Sequence, residues 1–217
     1  MSDELRARLR SLPSFPAELP SFDPSAAPAV PEALFLGWLD QAVDAGVPAP
    51  HAAALATTDD AGPSARVLIL KDLEAGVWQV ATPADSRPGR AMTASGRAAL
   101  TFFWPQLGRQ VRVEGEVSRA PDAEAAADFL ARPEAARATA LVGRPTATLA
   151  DDSAYAAARA DALTRIQADP DAVPVEWALW NIEATAVEFW QAAHDRAHIR
   201  LRYRRDGVAW RRERLWA

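Results

Sequence analysis

The clearest pattern along the chain is alternation of apolar and polar residues with a period of two. In Arg109–Val117, Gln110, Arg112, Glu114 and Glu116 fall on one face, and Val111, Val113 and Val117 on the other, as a half-buried strand requires. The same period runs from Arg196 to Tyr203 near the C-terminus. There Arg196, His198, Arg200 and Arg202 alternate with Ala197, Ile199, Leu201 and Tyr203. Asp206-Gly207 then predicts a hairpin turn, with Val208 to Leu215 returning as the partner strand. Further strands are predicted at His51–Thr58, Ser64–Leu70, Gly76–Ala81, Ala98–Trp104 and Trp177–Trp190.

Helical periodicity is confined to a few segments. Leu34, Trp38, Leu39 and Ala42 share a face after Pro31, with Gly46 placed to cap the C-terminal end. Helices are also predicted at Arg87–Ser95, Asp122–Ala131 and Asp152–Ala168. Between Leu12 and Pro31 a proline recurs every three or four residues, so residues 1–30 read as an extended, proline-rich arm rather than a packed element. Strands joined by short turns, with helices that do not alternate regularly with them, point to an antiparallel Greek-key barrel over residues 31–217 as one domain.

Charge and composition narrow the function. A net charge of −5 over 217 residues and a pI near 5.3 argue against a nucleic-acid binder, so the C-terminal basic cluster is a local feature. The absence of cysteine excludes disulfides, thiolate metal sites and a cysteine nucleophile. His51, His194 and His198 show no metal-ligand spacing. No apolar run approaches the ~18 residues of a membrane span, and the N-terminus lacks an apolar signal region, so a cytoplasmic protein without membrane attachment is expected. Lysine occurs once, at Lys71.

Several segments have both a chemical and a structural reading. The Arg196–Arg202 face could hold an anionic small molecule through bidentate hydrogen bonds, or could be a solvated edge strand. Arg66 and Lys71 bracket four apolar residues at an odd separation, which puts them on opposite faces of a regular strand. Thr82-Pro83-Ala84-Asp85-Ser86-Arg87-Pro88-Gly89-Arg90 is a polar turn entering a helix, and suits either a phosphate at the helix N-terminus or an ordinary cap. Trp190 suits core packing or a flat wall for an aromatic ligand.

From Pro31 onward the chain resembles the pyridoxine/pyridoxamine 5′-phosphate oxidase family. The resemblance rests on the order of RVLILK at 66–71, TPADSRPGR at 82–90, FFWPQLGRQVRVEG at 102–115, FLARP at 129–133, VEFWQ at 187–191, and RAHIR followed by RRERL. It implies a split β-barrel, a homodimer, and flavin mononucleotide (FMN) between the subunits. Position by position it implies Arg66, Thr82, Ser86 and Arg87 around the flavin phosphate. The strand Arg66, Val67, Leu68, Ile69, Leu70 and Lys71, with Ala81 nearby, would run beside the isoalloxazine ring. Gln110 would bond the ring's polar edge and Thr146 would donate to the flavin, with Trp190 and Arg200 completing the site from the second protomer. Lys71, Arg132, Arg196 and His198 match substrate-binding positions, and Arg196 and His198 would act at the reacting edge.

The departures from the family pattern are equally specific. Pro88 stands where the family has a second basic residue, Pro145-Thr146 where it has Gln-Ser, and Trp177-Ala178-Leu179 where it has Trp-Gly-Gly. Asp128 and Ala136 replace the tyrosine and serine that flank the Arg-Pro pair. A carboxylate a few ångströms from a substrate phosphate would cost on the order of 1–4 kcal/mol at effective dielectrics from 80 to 20. The implied activity is hydride transfer from pyridoxine or pyridoxamine 5′-phosphate to FMN, with dioxygen as acceptor and hydrogen peroxide as product. Alternatives are a specialised flavin oxidase acting on a reduced, phenazine-type ring, a non-catalytic flavin-binding split barrel, and a relative that takes deazaflavin.

Overall fold

A computed structural model describes residues 2–217. In chain order the elements are α1 (Ser2–Ser11), α2 (Pro31–Asp44), β1 (Ala52–Asp59), β2 (Gly62–Glu74), β3 (Val77–Ala81), α3 (Arg87–Ser95), β4 (Arg97–Trp104) and β5 (Arg109–Arg119). They continue with α4 (Asp122–Leu130), α5 (Glu134–Leu141), α6 (Asp152–Ala168), β6 (Leu179–Gln191), β7 (Ile199–Asp206) and β8 (Ala209–Leu215). The strands form one sheet in the order β3-β2-β1-β4-β5-β6-β7-β8, and a further pairing of β3 with β6 closes six of them into a barrel. The expected antiparallel barrel is therefore present, with β7 and β8 as an appended hairpin. No helix among the described residues is long and apolar enough to cross a membrane.

Contacts divide the chain into two compact units, and β1, β4, β5 and β6 contribute residues to each. The first comprises residues 1–53, 100–113 and 185–217. Its core is aromatic: Phe35 packs on Phe102 and Trp104 at 4.8 and 6.0 Å, and Trp38 meets Phe189 edge-on at 5.2 Å. Phe189 in turn meets Tyr203 at 5.7 Å. T-shaped and tilted pairs suit the ring quadrupole, and each adds to what area burial alone provides. Helix α2 supplies Leu34, Phe35, Trp38 and Ala42 to this core, and Gly46 follows its C-terminal end at φ 68° as expected.

The N-terminal segment departs from the expected arm. Ser2–Ser11 is a helix with acidic residues in its first turn and basic ones in its last, an order the helix dipole favours. Beyond it the proline-rich stretch packs: Phe22 meets Trp38 at 5.0 Å, Phe15 meets Trp190 at 5.8 Å, and the Tyr203 hydroxyl donates to the Pro28 carbonyl at 2.8 Å.

The second unit comprises residues 54–99 and 114–184. Strand β3 pairs antiparallel with β2 and with the start of β6, burying Trp78, Val80 and Ile182. Beside these strands Phe129, Ala138, Leu141, Ala162, Ile166, Trp177 and Leu179 form a buried cluster built largely from α4, α5 and α6. Helix α5 was not among the predicted elements, although Pro133-Glu134 followed by an alanine-rich run is an N-terminal helix signal. Gly115 is required by close approach, because a Cβ there would lie 2.4 Å from the Glu183 carbonyl oxygen and 2.8 Å from the Ile182 side chain. Gly115→Ala should therefore destabilise the fold by about 1–3 kcal/mol. The urea midpoint should fall with an unchanged slope.

Candidate functional site

The residues expected around a phosphate tail sit together in the second unit. Burial alternates along β2, so Ser64, Arg66, Leu68 and Leu70 face one way and Val67 and Ile69 the other, 67% and 40% exposed. Arg66 donates to the Leu55 carbonyl and Thr57 hydroxyl at 3.0 Å each, and to the Ser64 carbonyl and hydroxyl at 3.2 and 2.7 Å. All four acceptors are neutral. Burial lowers the Arg66 pKa, and the charge on Arg87 lowers it further.

Arg87, the first residue of α3, closes its fork on Asp59: Nε to Oδ2 at 2.8 Å and Nη2 to Oδ1 at 3.0 Å. That bond raises Arg87 above the ordinary arginine value and holds Asp59 below the ordinary carboxylate value. Ser86 is the cap of α3, accepting from the Gly89 amide at 3.2 Å and lying 3.1 Å from the Thr82 hydroxyl, and both hydroxyl-bearing residues are buried. Ala81 ends β3 immediately before them. Pro88 occupies the first turn of α3, where a missing N–H costs nothing. Thr146 is exposed in the loop between α5 and α6, where Pro145 helps line a cleft of about 460 Å³ together with Pro83 and Tyr155.

Lys71 has a different neighbourhood. It is the extra residue of a β-bulge, since Leu70 pairs with Val80 and Asp72 with Gln79, and bulges re-aim side chains. Its ammonium meets Asp128 Oδ1 at 2.9 Å. Asp128 Oδ2 accepts from the Trp177 indole at 3.1 Å, and the Arg132 guanidinium lies over that indole, 4.2 Å from its centre. The carboxylate that replaces a hydroxyl in the family pattern thus points to Lys71 and Trp177 and not outward along α4.

In the first unit the expected cationic strand face is broken. β7 begins at Ile199, so Arg196 and His198 lie in the turn before it, and Arg196 has φ 67°. Asp195 Oδ1 takes the Ala197 amide at 2.9 Å and bends the chain there; the alternation in sequence runs past the end of the strand. On β7 itself, Arg200 forks onto Glu188 at 2.9 and 3.2 Å and Arg202 reaches Glu213 at 2.6 Å. Arg200 also donates to the Trp216 carbonyl at 2.9 Å. The hairpin register pairs Asp206 with Ala209, which makes Gly207-Val208 the two-residue loop.

Arg196 and His198 nevertheless meet in one cleft of about 210 Å³, shared with Leu12, Ser14, Phe15, Ala193 and His194. The N-terminal segment is a wall of that cleft. His198 Nδ1 accepts from the Ala193 amide at 3.0 Å, so the neutral imidazole carries its proton on Nε2 and presents a donor. Its ring packs on Trp190 at 4.8 Å, and Trp190 stands opposite Arg200 in the β6–β7 pair. Gln110 is half-buried on β5. One important residue was missed. Arg109 is buried beneath these elements, with Nε on Gln191 and Nη1 on Gln41, both at 2.9 Å, and its guanidinium 4.3 Å from the centre of the Trp38 ring. Its place on the valine face of the 109–117 alternation was a visible signal.

Residues 39–191 match the family model described as pyridoxamine 5′-phosphate oxidase, and residues 177–217 match the pyridoxine 5′-phosphate oxidase C-terminal dimerisation region. The chain belongs to the pyridoxamine 5′-phosphate oxidase family. It is accordingly an oxidoreductase of a flavin oxidase family. The pyridoxine/pyridoxamine 5′-phosphate oxidase of Pseudomonas paraeruginosa PA7 is 37% identical over 192 residues, 87% of this chain and 89% of that one. The protein of the same name from Anaeromyxobacter dehalogenans 2CP-C is 40% identical over 188 residues, 86% and 94% of the two chains. Among solved structures, PhzG from Burkholderia lata 383, in complex with tetrahydrophenazine-1-carboxylic acid, superposes with a TM-score of 0.84 at 29% identity, covering 92% of this chain and 99% of that one. A pyridoxamine 5′-phosphate oxidase-related, FMN binding protein from Nostoc punctiforme PCC 73102 shares the fold, with a TM-score of 0.72 at 16% identity over 88% and 100% of the chains.

The Arg87–Asp59 pair has a pH signature. Asp59 has its pKa lowered in the folded state, so the stability it contributes is present above the unfolded carboxylate value, roughly pH 4. That contribution is lost as pH falls through the lower folded value. Asp59→Asn should flatten the acid limb of a stability–pH curve below roughly pH 4 and leave its neutral plateau shape unchanged, as followed by thermal unfolding across a buffer series.

Proposed function

We propose that the protein is an FMN-dependent oxidase working as a homodimer, with Arg66, Thr82, Ser86 and Arg87 holding the cofactor's phosphate. The observation that carries this reading is the charge of that cluster: of its two guanidiniums, Arg87 is held by one carboxylate, Asp59, and Arg66 by neutral oxygens, with the buried Thr82 and Ser86 hydroxyls beside the start of α3. Such a donor set fits a phosphate, to which Arg87 and the two hydroxyls donate, Ser86 by giving up the Pro83 carbonyl, while Arg66 adds its charge. On the same strand as Arg66, the exposed, apolar Val67 and Ile69 of the opposite face offer a surface for the flat face of a ring. Bound FMN supplies the hydride acceptor and the reaction with dioxygen that returns hydrogen peroxide.

The chain's own residues bind and orient. Arg87 exchanges part of its fork from Asp59 to the phosphate, and Arg66 keeps its neutral acceptors while lending charge. Gln110 bonds the polar edge of the ring, and Thr146 donates from its loop. Trp190 and Arg200 complete the flavin site from the second protomer, as the match to a dimerisation region supports. Arg196 and His198, sharing a cleft, steer the substrate, with His198 donating from Nε2 and Arg196 drawing a polar group of the substrate into place. No proton-transfer residue is required, since orientation and charge are the protein's contribution.

Pyridoxine or pyridoxamine 5′-phosphate is the substrate that the relatives' names support. A second reading, oxidation of an unphosphorylated reduced ring, is favoured by the Lys71–Asp128 ion pair, which occupies the cation expected to meet a substrate phosphate. Turnover of pyridoxine 5′-phosphate by FMN-loaded protein, followed by aldehyde absorbance and peroxide, separates them, and null activity of loaded protein removes the first reading.

Arg87→Ala should weaken FMN binding about 10- to 100-fold in a fluorescence titration, and unchanged affinity would discard its place at the phosphate. Arg196→Ala should slow flavin reduction about tenfold or more in anaerobic stopped flow while FMN affinity stays within about twofold. Loss of FMN instead would move Arg196 to the cofactor.

A further inference from the structure

Within the second unit, one group of charges is arranged around a carboxylate that the proposed chemistry does not use. Asp128, on α4, takes the Lys71 ammonium on one oxygen at 2.9 Å and the Trp177 indole N–H on the other at 3.1 Å. The pair is sheltered, with side-chain exposures of 26% for Lys71 and 16% for Asp128. Arg132 lies beside it, over the Trp177 ring at 4.2 Å and 6.0 Å from the centre of Phe129, and its Nη1 is buried without a hydrogen-bond partner. Arg137 approaches the other ring, Phe129, at 5.5 Å and donates to the Pro170 carbonyl.

We infer that Asp128 is a specificity-determining residue that acts as a built-in anion: it occupies the Lys71 ammonium, so this site takes a substrate whose tail is neutral or singly charged and turns away a phosphate monoester. The inference rests on the second reading of the proposed function and says which residue enforces it. A phosphate can reach Lys71 only if Asp128 leaves or stays. If it leaves, a sheltered carboxylate loses both its ammonium and its indole partner, and an unpaired charge in such a place is costly. If it stays, it stands against a dianion at close range. A neutral polar group avoids both outcomes, because it leaves the Lys71–Asp128 pair intact, and a singly charged one meets half the repulsion of a dianion. The bulge at Lys71 aims its side chain at the Asp128 pair and away from the regular strand face.

The test compares two ring ligands that cannot be oxidised at the 4-position, 4-deoxypyridoxine and 4-deoxypyridoxine 5′-phosphate, by calorimetric titration of the FMN-loaded protein. In the natural protein the phosphate is expected to add no more than about threefold to affinity. In Asp128→Asn, which keeps an acceptor for the Trp177 indole and removes the charge, the phosphorylated ligand should bind about tenfold or more tightly than before. The unphosphorylated ligand should be unchanged. The inference is overturned if the natural protein already favours the phosphate by more than about tenfold, if Asp128→Asn leaves the ratio where it was, or if neither protein binds either ligand. The natural protein's ratio stands as a test even if the variant fails to fold. Failure of the proposed function is read separately, as protein that takes up no FMN before any ligand is added.

Discussion

A cation withdrawn from water must be given oxygens, and the carboxylates that provide them decide how much positive charge a chain has left for a ligand. In this chain carboxylates meet many of the cations that matter. Glu188 holds Arg200, Glu213 holds Arg202, Asp59 holds Arg87 and Asp128 holds Lys71. Arg66 stands apart, since its partners are carbonyls and hydroxyls that leave its charge uncancelled. Uncancelled positive charge is therefore greatest where Arg66 and Arg87 have one carboxylate between them, and smaller along β7, where Glu188 holds Arg200 and Glu213 holds Arg202.

Arg109 extends the same constraint into a core. A buried guanidinium without a carboxylate must be satisfied by neutral oxygens, and Gln41 and Gln191 supply them while Trp38 offers its π-face. Burial pushes its pKa down to about 10, so it remains charged near neutral pH. Through Gln191, which also donates to the Leu107 carbonyl at 3.0 Å, the same network fixes the end of β6 next to Trp190. The N-terminal segment is tied into this unit by Phe15, Phe22 and the Tyr203–Pro28 bond. For that reason a stretch rich in proline forms one wall of the Arg196–His198 cleft.

Much of the fold was legible because half-buried strands print their period on the sequence. The valines of β5, the apolar residues of β7 and the capped start of α3 all stand where alternation and cap chemistry put them. The elements that escaped notice have weak patterns. α1 is exposed and held by its own charges, and α5 buries only Ala138 and Leu141. The beginning of β7 was misplaced for the opposite reason. Arg196-Ala-His-Ile continues the two-residue period through a turn set by Asp195, and a period does not register where pairing stops.

Neighbours close along the chain and the order of motifs suffice for the strand faces, for the capped helix that carries Ser86 and Arg87, and for the family to which the chain belongs. Which carboxylate meets which cation is settled only in three dimensions. Lys71 and Asp128 lie on different elements, as do Asp59 and Arg87, and Glu188 reaches Arg200 diagonally across a strand pair whose register no local pattern encodes. Whether a positive side chain is available to a ligand or already neutralised depends on distances of a few ångströms between residues far apart in sequence, because Coulomb energy falls with separation in space and is indifferent to position along the chain.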